Sequence, residues 1–355
     1  MQLPYFSLLI FVVLIFSNCK NQKVVQTNDD YLLAIDSVIE SDSVKPFNGV
    51  VLIVREGKEI YSKTKGFSDR DKKIPLTLKN QFVIGSISKQ ITAVMILEEY
   101  EKGTLKLEQT IRTYLPNLEQ SWADSVTIHH LLTHTHGIKE LNQPLAFPLG
   151  SRFDYSQLGF ELLSNILESI KKQSFETISN DFFQRIGLKN TVYPSLKKQK
   201  KMTKGYTEQE NGDIIYETNT FKNYVAAGGF ISTAYDLVKW NKLLHSGKIL
   251  KKDTFKLMVQ RYETRKHPIF DEIDYGYGLT FKKNEQTIQI GALGFAAGFV
   301  SSNFYFPQTK TSLIVLENTA YQLQDFKKTF YHHTTLLEIV KNGKNNTKNN
   351  NTQSN

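Results

Sequence analysis

Five serines stand three residues before a lysine: Ser17, Ser62, Ser86, Ser169 and Ser195. The spacing matters because a serine hydroxyl becomes a nucleophile only when a base takes its proton. A lysine amine serves as that base once burial removes its charge. Three residues along a helix also put the two side chains on one face, within reach of each other. Ser17 falls in an apolar leader, Ser62 in a predicted strand, Ser169 at a helix end and Ser195 in a lysine-rich loop. Ser86 alone follows a glycine, Gly85, and precedes a helix in which Ile91, Ala93, Val94, Met95, Ile96 and Leu97 are apolar on most faces, which draws Lys89 toward a core. Such a helix start also aims a backbone N–H at developing negative charge. On the tetrad alone, an N-cap serine followed by a snorkelling surface lysine fits equally well.

The elements that must position this pair are predicted from periodicity. Tyr31 to Glu40 reads as a helix, and Val50–Arg55 with Glu59–Lys65 as a hairpin turning at Gly57. Lys102 and Gly103 are placed to end the Ser88 helix, the glycine in a left-handed cap. Ile128–Leu132, Leu158–Lys171, Phe175–Ile186 and Ala234–Leu244 carry helical spacing. Strands return at Gly276–Phe281, Thr287–Ile290, Phe299–Phe306 and Thr311–Glu317, before a last helix from about Gln322 to Val340. The expected class is α+β: one antiparallel sheet built from N- and C-terminal strands, flanked by terminal helices, with an inserted mainly helical subdomain at about 104–235.

Further segments fall in order along the chain. Phe82-Val83-Ile84-Gly85-Ser86-Ile87-Ser88-Lys89 is followed by Gly103-Thr104-Leu105-Lys106-Leu107, by Thr127 to Gly137, by Gly228-Gly229 with Ser232-Thr233-Ala234, and by Tyr275-Gly276-Tyr277-Gly278-Leu279. In these residues the sequence resembles the serine β-lactamase and penicillin-binding-protein-like hydrolases, especially the class C and esterase branch, over most of the body. The resemblance implies a β-lactamase/transpeptidase-like fold with Ser86 as nucleophile and Lys89 as its base. It places Tyr155-Ser156-Gln157 at the family's Tyr-x-Asn motif, with Tyr155 as general acid/base and Gln157 toward substrate. Gly291-Ala292-Leu293-Gly294-Phe295 falls at the Lys-Thr-Gly or His-x-Gly motif, with Gly294 and Phe295 toward substrate and the Phe295 N–H completing an oxyanion hole with that of Ser86. Two departures shape the expectation. Gln157 is longer than asparagine by a methylene, which is expected to displace its amide by about an ångström, and Ala292 neither donates nor titrates. The reading is therefore an acyl-enzyme hydrolase of esterase, D-amino-acid peptidase or weak β-lactamase type, attenuated by those departures. The alternative is a catalytically impaired binding or sensing module for peptidoglycan-like ligands.

His129, His130, His134 and His136 raise a metal reading, yet no glutamate lies between them as in a zinc protease and Gly137 breaks the helix, so no metal is assigned. His245-Ser246-Gly247 fits His-x-Gly but follows Leu243-Leu244 as a helix C-cap. No phosphate-binding glycine loop is present, so no cofactor is expected. The Lys197–Lys204 basic loop lacks interleaved aromatics, which argues against nucleic acid.

The composition, 40% hydrophobic and 22% charged over 355 residues, excludes disorder throughout. A net charge of +9 hints at a polyanion, but eight of its lysines lie between Ser195 and Tyr206 or beyond residue 340, leaving the body near neutral. The single cysteine, Cys19, follows the apolar run Leu8–Phe16 and rules out internal disulfides. Phe16-Ser17-Asn18-Cys19 resembles a loose bacterial lipoprotein cleavage site, although no Lys or Arg precedes the run; an ordinary signal peptide with Cys19 incidental uses the same residues. The expected organisation is a signal peptide at 1–18, a polar tether at 19–30 after a lipidated Cys19, a hydrolase domain at 31–340 and a disordered Asn/Lys tail at 341–355. The anchor places the protein at the periplasmic or outer-membrane face, with an ester or amide substrate as its partner.

Overall fold

The computed structural model describes residues 28–42, 44–195, 202–218, 223–283 and 290–351. Helix α1 (Asn28–Glu40) leads to the hairpin of β1 (Gly49–Arg55) and β2 (Lys58–Lys65). Short strands β3 (Phe67–Asp69) and β4 (Ile74–Pro75) pair together, and β5 (Phe82–Val83) delivers the chain to α2 (Ser88–Glu101). The inserted body holds α3 (Ile128–Thr133), α4 (Gln157–Lys171), α5 (Phe175–Arg185), the hairpin β6 (Tyr206–Glu208) and β7 (Ile214–Tyr216), α6 (Val225–Gly228), β8 (Ile231–Ser232) and α7 (Ala234–His245). After α8 (Lys252–Val259) come β9 (Glu263–His267), β10 (Asp271–Tyr275), β11 (Thr280–Lys282), β12 (Ile290–Ala296), β13 (Phe299–Phe306) and β14 (Thr311–Glu317). Strand β15 (Thr319–Ala320) joins β6, and α9 (Phe326–Thr329) and α10 (Tyr331–Asn351) follow.

The main sheet runs β2-β1-β14-β13-β12-β11-β10-β9, each neighbouring pair antiparallel, so strands from both ends of the sequence share one sheet. This is the expected α+β architecture. Alternation along β1 builds its two faces. Val51 and Ile53 pack on Ile35 and Ile39 of α1 and on Leu336, Leu337 and Val340 of α10. Val50, Leu52 and Val54 face the inserted helices together with Ile314 and Leu316. Covered on both faces, β1 reads as a continuous apolar run, and burying each such side chain contributes about 2 kcal/mol.

Several boundaries differ from expectation. Helix α1 starts at Asn28, so the tether expected at 19–30 ends earlier, and α10 continues through Lys341 to Asn351 where a disordered tail was expected. Lys341 pairs with Glu338, and extending a helix already nucleated costs little per residue. The last helix divides at Phe330 into α9 and α10. Gly276–Leu279 is a turn, leaving only Thr280–Lys282 of the strand predicted there, and Thr287–Gln289 lies outside the described residues. The hairpin β9–β10 and helix α8 were not anticipated; a polar sequence such as Glu263–His267 carries no apolar period to reveal a strand. The signal peptide, Cys19 and most of the lysine loop also fall outside the described residues.

Candidate active site

Gly85–Ile87 form a 3-10 turn that runs into α2, with Gly85 at φ +53°. The turn is tethered from three sides. Phe82 and Val83 pair with Ser232 and Ile231, the Ile84 N–H donates to Phe230 O at 2.9 Å, and Ser301 Oγ donates to Ile84 O at 2.8 Å. Neither the turn nor α2 has a side-chain cap bond, and Lys89 is 1% exposed. The N-cap and surface-lysine alternative therefore does not describe this pair. Helix α2 ends as expected at Lys102, with Gly103 at φ +75°.

Two predicted residues converge on the Ser86 hydroxyl. Tyr155 Oη donates to Ser86 Oγ at 2.8 Å, and Lys89 Nζ lies 3.3 Å from the same oxygen. Lys89 Nζ also donates to Gln157 Oε1 and to Ala227 O, both at 2.7 Å. Those two acceptors match the two N–H bonds of a neutral amine and leave its lone pair facing Ser86. Burial pushes the Lys89 pKa below the ordinary lysine value and the Arg265 charge acts in the same direction, while Tyr155 opposes both. The displacement expected of Gln157 is not seen at Lys89: its side-chain torsions fold the longer chain to a 2.7 Å contact from the first residue of α4, which Ser156 caps.

Gly294 and Phe295 lie on β12 against the nucleophile turn, so close that a Cβ on Gly85 would stand 2.5 Å from Phe295 N and 2.7 Å from Gly294 C. This brings the Phe295 N–H beside the start of the Ser86 turn. Ala292, on the same strand, lines a cavity of about 40 Å³ at Ser86 together with Tyr155, Arg265, His267 and Tyr275. A second cavity of about 240 Å³ shares Tyr155 and extends past Gln157 to Lys139 and Tyr224. Arg265, His267 and the Ala227 carbonyl were not singled out from sequence. The first two sit on the unanticipated hairpin, and a main-chain oxygen carries no side-chain signal.

The four clustered histidines have separate roles. His129 Nδ1 meets Tyr277 Oη at 2.8 Å, and His130 closes a capping box with Thr127. His134 Nδ1 accepts the Ser156 N–H at 3.1 Å while its ring packs 4.6 Å from that of Tyr155, so it fixes the approach to α4. His136 Nδ1 accepts the Ile138 N–H at 2.9 Å. Among the described residues no group of three or more His, Cys, Asp or Glu is placed to hold a metal. His245 ends α7 and Gly247 follows at φ +69°, the expected cap.

Burial lowers the His136 pKa from 6.5 to about 4. The unfolded chain then binds the proton first as pH falls, so the contribution of this group is fully present above about pH 7 and is lost progressively toward pH 4, by about 3 kcal/mol. Urea unfolding at pH 7 and 4.5 is expected to show a smaller loss in His136→Asn, whose amide oxygen keeps the Ile138 acceptor. An unchanged pH slope would refute this assignment.

The Beta-lactamase family model matches residues 41–336. The putative penicillin-binding protein PbpX of Bacillus subtilis is 25% identical over 230 residues, covering 60% of this chain; the match spans only 58% of that protein's length. The D-amino acid amidase of Ochrobactrum anthropi SV3, solved with L-phenylalanine amide, superposes with a TM-score of 0.77 at 21% identity, covering 89% of this chain and 99% of that one. A penicillin-binding protein from Bacillus halodurans does so with a TM-score of 0.71 at 24% identity, covering 82% and 96%. At these identities the structural likeness speaks to the fold.

Proposed function

Because the chain belongs to the Beta-lactamase family, we propose that it is a serine hydrolase that cleaves an ester or amide through an acyl-enzyme on Ser86. The observation that carries this is the convergence of Tyr155 Oη at 2.8 Å and a buried Lys89 Nζ at 3.3 Å on one serine oxygen. Lys89 takes the Ser86 proton as Oγ bonds to the substrate carbonyl carbon. The oxyanion forms against the N–H groups of Ser86 and Phe295. The carbonyl bond to the leaving oxygen or nitrogen then breaks, Tyr155 relaying a proton to the departing atom. Water adds to the acyl-enzyme, gives one proton to the relay, and restores Ser86 with release of the acid. An amidase or esterase is favoured over a β-lactamase because Ala292 supplies no cation from the third-motif strand.

The test treats the folded protein with a fluorophosphonate and, separately, with a fluorescent penicillin, and locates adducts by peptide mass. Fluorophosphonate on Ser86 without penicillin is the expected result; both adducts would establish a penicillin-recognising enzyme. Neither adduct would replace the hydrolase with a binding module. The same reading makes the protein an exported lipoprotein held through Cys19. Labelled palmitate is expected to enter the protein and to be lost in Cys19→Ser; incorporation that persists would refute the anchor.

A further inference from the structure

A proton passes between Tyr155 and Ser86 only if the phenol is held to within about 0.5 Å of its place. Yet residues 153–156 belong to no helix or strand, so no hydrogen-bond ladder of their own fixes the tyrosine. His134 supplies the hold from outside the segment. It closes α3 in the left-handed region at φ +60° and is fully buried. Its carbonyl accepts the Asp154 N–H at 2.8 Å, and its Nδ1 accepts the Ser156 N–H at 3.1 Å. One residue therefore grips the chain on both sides of Tyr155, while its ring packs 4.6 Å from the tyrosine ring between them.

The other end of the imidazole is tied to the sheet. Burial, with the Lys89, His136 and Arg265 charges acting in the same direction, holds the His134 pKa well below its ordinary 6.5. A neutral ring whose Nδ1 accepts carries its proton on Nε2, which donates to Tyr275 Oη at 3.0 Å. Tyr275 is the buried last residue of β10, paired with Glu263 of β9 and Thr280 of β11. The nucleophile turn hangs from the same sheet, where Ser301 of β13 holds Ile84 O. We propose that His134 is a positioning residue for the Ser86–Tyr155 proton transfer, carrying the register of the main sheet through Tyr275 to a tyrosine that the inserted body supplies. It touches no reacting atom and acts through Tyr155 alone. The role deepens the serine-hydrolase reading and rests on it.

The test compares phenyl acetate, whose leaving oxygen needs a proton, with p-nitrophenyl acetate, whose phenolate departs without one. His134→Phe keeps the ring and loses both nitrogen contacts. His134→Asn keeps an acceptor where Nδ1 stands and tolerates the positive φ, which guards against a variant that fails to fold. His134→Phe is expected to lower kcat/KM for phenyl acetate by about 10- to 100-fold, and His134→Asn by less. Both are expected to cost p-nitrophenyl acetate several-fold less, and Tyr275→Phe to reproduce part of this selective loss from the sheet side. On a Tyr155→Phe background none of the three is expected to slow phenyl acetate further, with circular dichroism and thermal midpoints reporting the fold. Equal losses on the two esters overturn the positioning role, as do losses that persist in full without the Tyr155 hydroxyl. Unchanged kcat/KM in a folded His134→Phe protein overturns it too, while fluorophosphonate on Ser86 of the parent keeps the hydrolase. A parent that neither takes fluorophosphonate nor turns over either ester removes the hydrolase, and the positioning role with it.

Discussion

Ser86→Ala is expected to lose the covalent adduct and to lower turnover of a neutral ester such as p-nitrophenyl acetate by roughly 10⁴- to 10⁶-fold. The hydroxyl is the atom on which Tyr155 Oη and Lys89 Nζ converge, and the remaining oxyanion donors act only on a bond that water must then attack. Lys89→Met is expected to approach the same loss. Its thioether fills the buried space but accepts no proton, and Tyr155, which already donates to Ser86 Oγ, is not placed as a base in its stead. The double variant should be no slower than Ser86→Ala alone, because the two side chains act as one unit. Losses that multiply would mean that Lys89 acts elsewhere. Thermal midpoints are expected to stay within a few degrees of the parent, since polar groups held for chemistry contribute little to stability.

Gly85→Ala is expected to damage fold and site together. Alanine at φ +53° costs about 1 to 2 kcal/mol by itself. Its Cβ would also stand 2.5 Å from Phe295 N and 2.7 Å from Gly294 C, main-chain atoms that move only if β12 moves. Ser301 resists that movement by binding Ile84 O at 2.8 Å and Gly294 O at 3.3 Å. A total loss above about 3 kcal/mol is therefore expected in urea unfolding. Fluorophosphonate labelling should slow by about 10²- to 10³-fold as the Phe295 N–H leaves its place. Gly103→Ala is the control: φ is +75°, yet nothing lies within 4 Å of its Cβ position, so only the backbone cost of about 1 to 2 kcal/mol applies. Equal losses at the two glycines would refute the clash.

Both variants probe features that were legible in the sequence: a serine after a glycine, a lysine three residues on, and a helix too apolar to be exposed. Legibility ended where side chains act through space. The site's second cation candidate, Arg265, lies 176 residues after Lys89 in a strand whose alternation is polar and exposed on one face, so no periodic signal marks it. Gln157 shows the opposite failure. Its extra methylene suggested a broken contact, but a side chain with three torsions adjusts its reach in ways that residue identity does not encode.

From sequence alone, local physics pointed to the α+β class, the strands contributed by both chain ends, the buried α2 and the pairing of Ser86 with Lys89, because apolar periodicity and backbone-limited residues act over a few positions; Tyr155 entered only through the family resemblance. Tertiary structure decided the partners of Ser86, Lys89 and Tyr155 and the desolvation of the lysine: Lys89 is buried by elements far apart in sequence, which lowers its pKa, and meets Gln157 and Ala227 there. It also decided that Arg265 and His267 of β9 meet Ala292 of β12 around a cavity beside Ser86. Dielectric environment and hydrogen-bond valence are properties of assembled neighbours, and they are set when β9 and β12 close against the nucleophile turn.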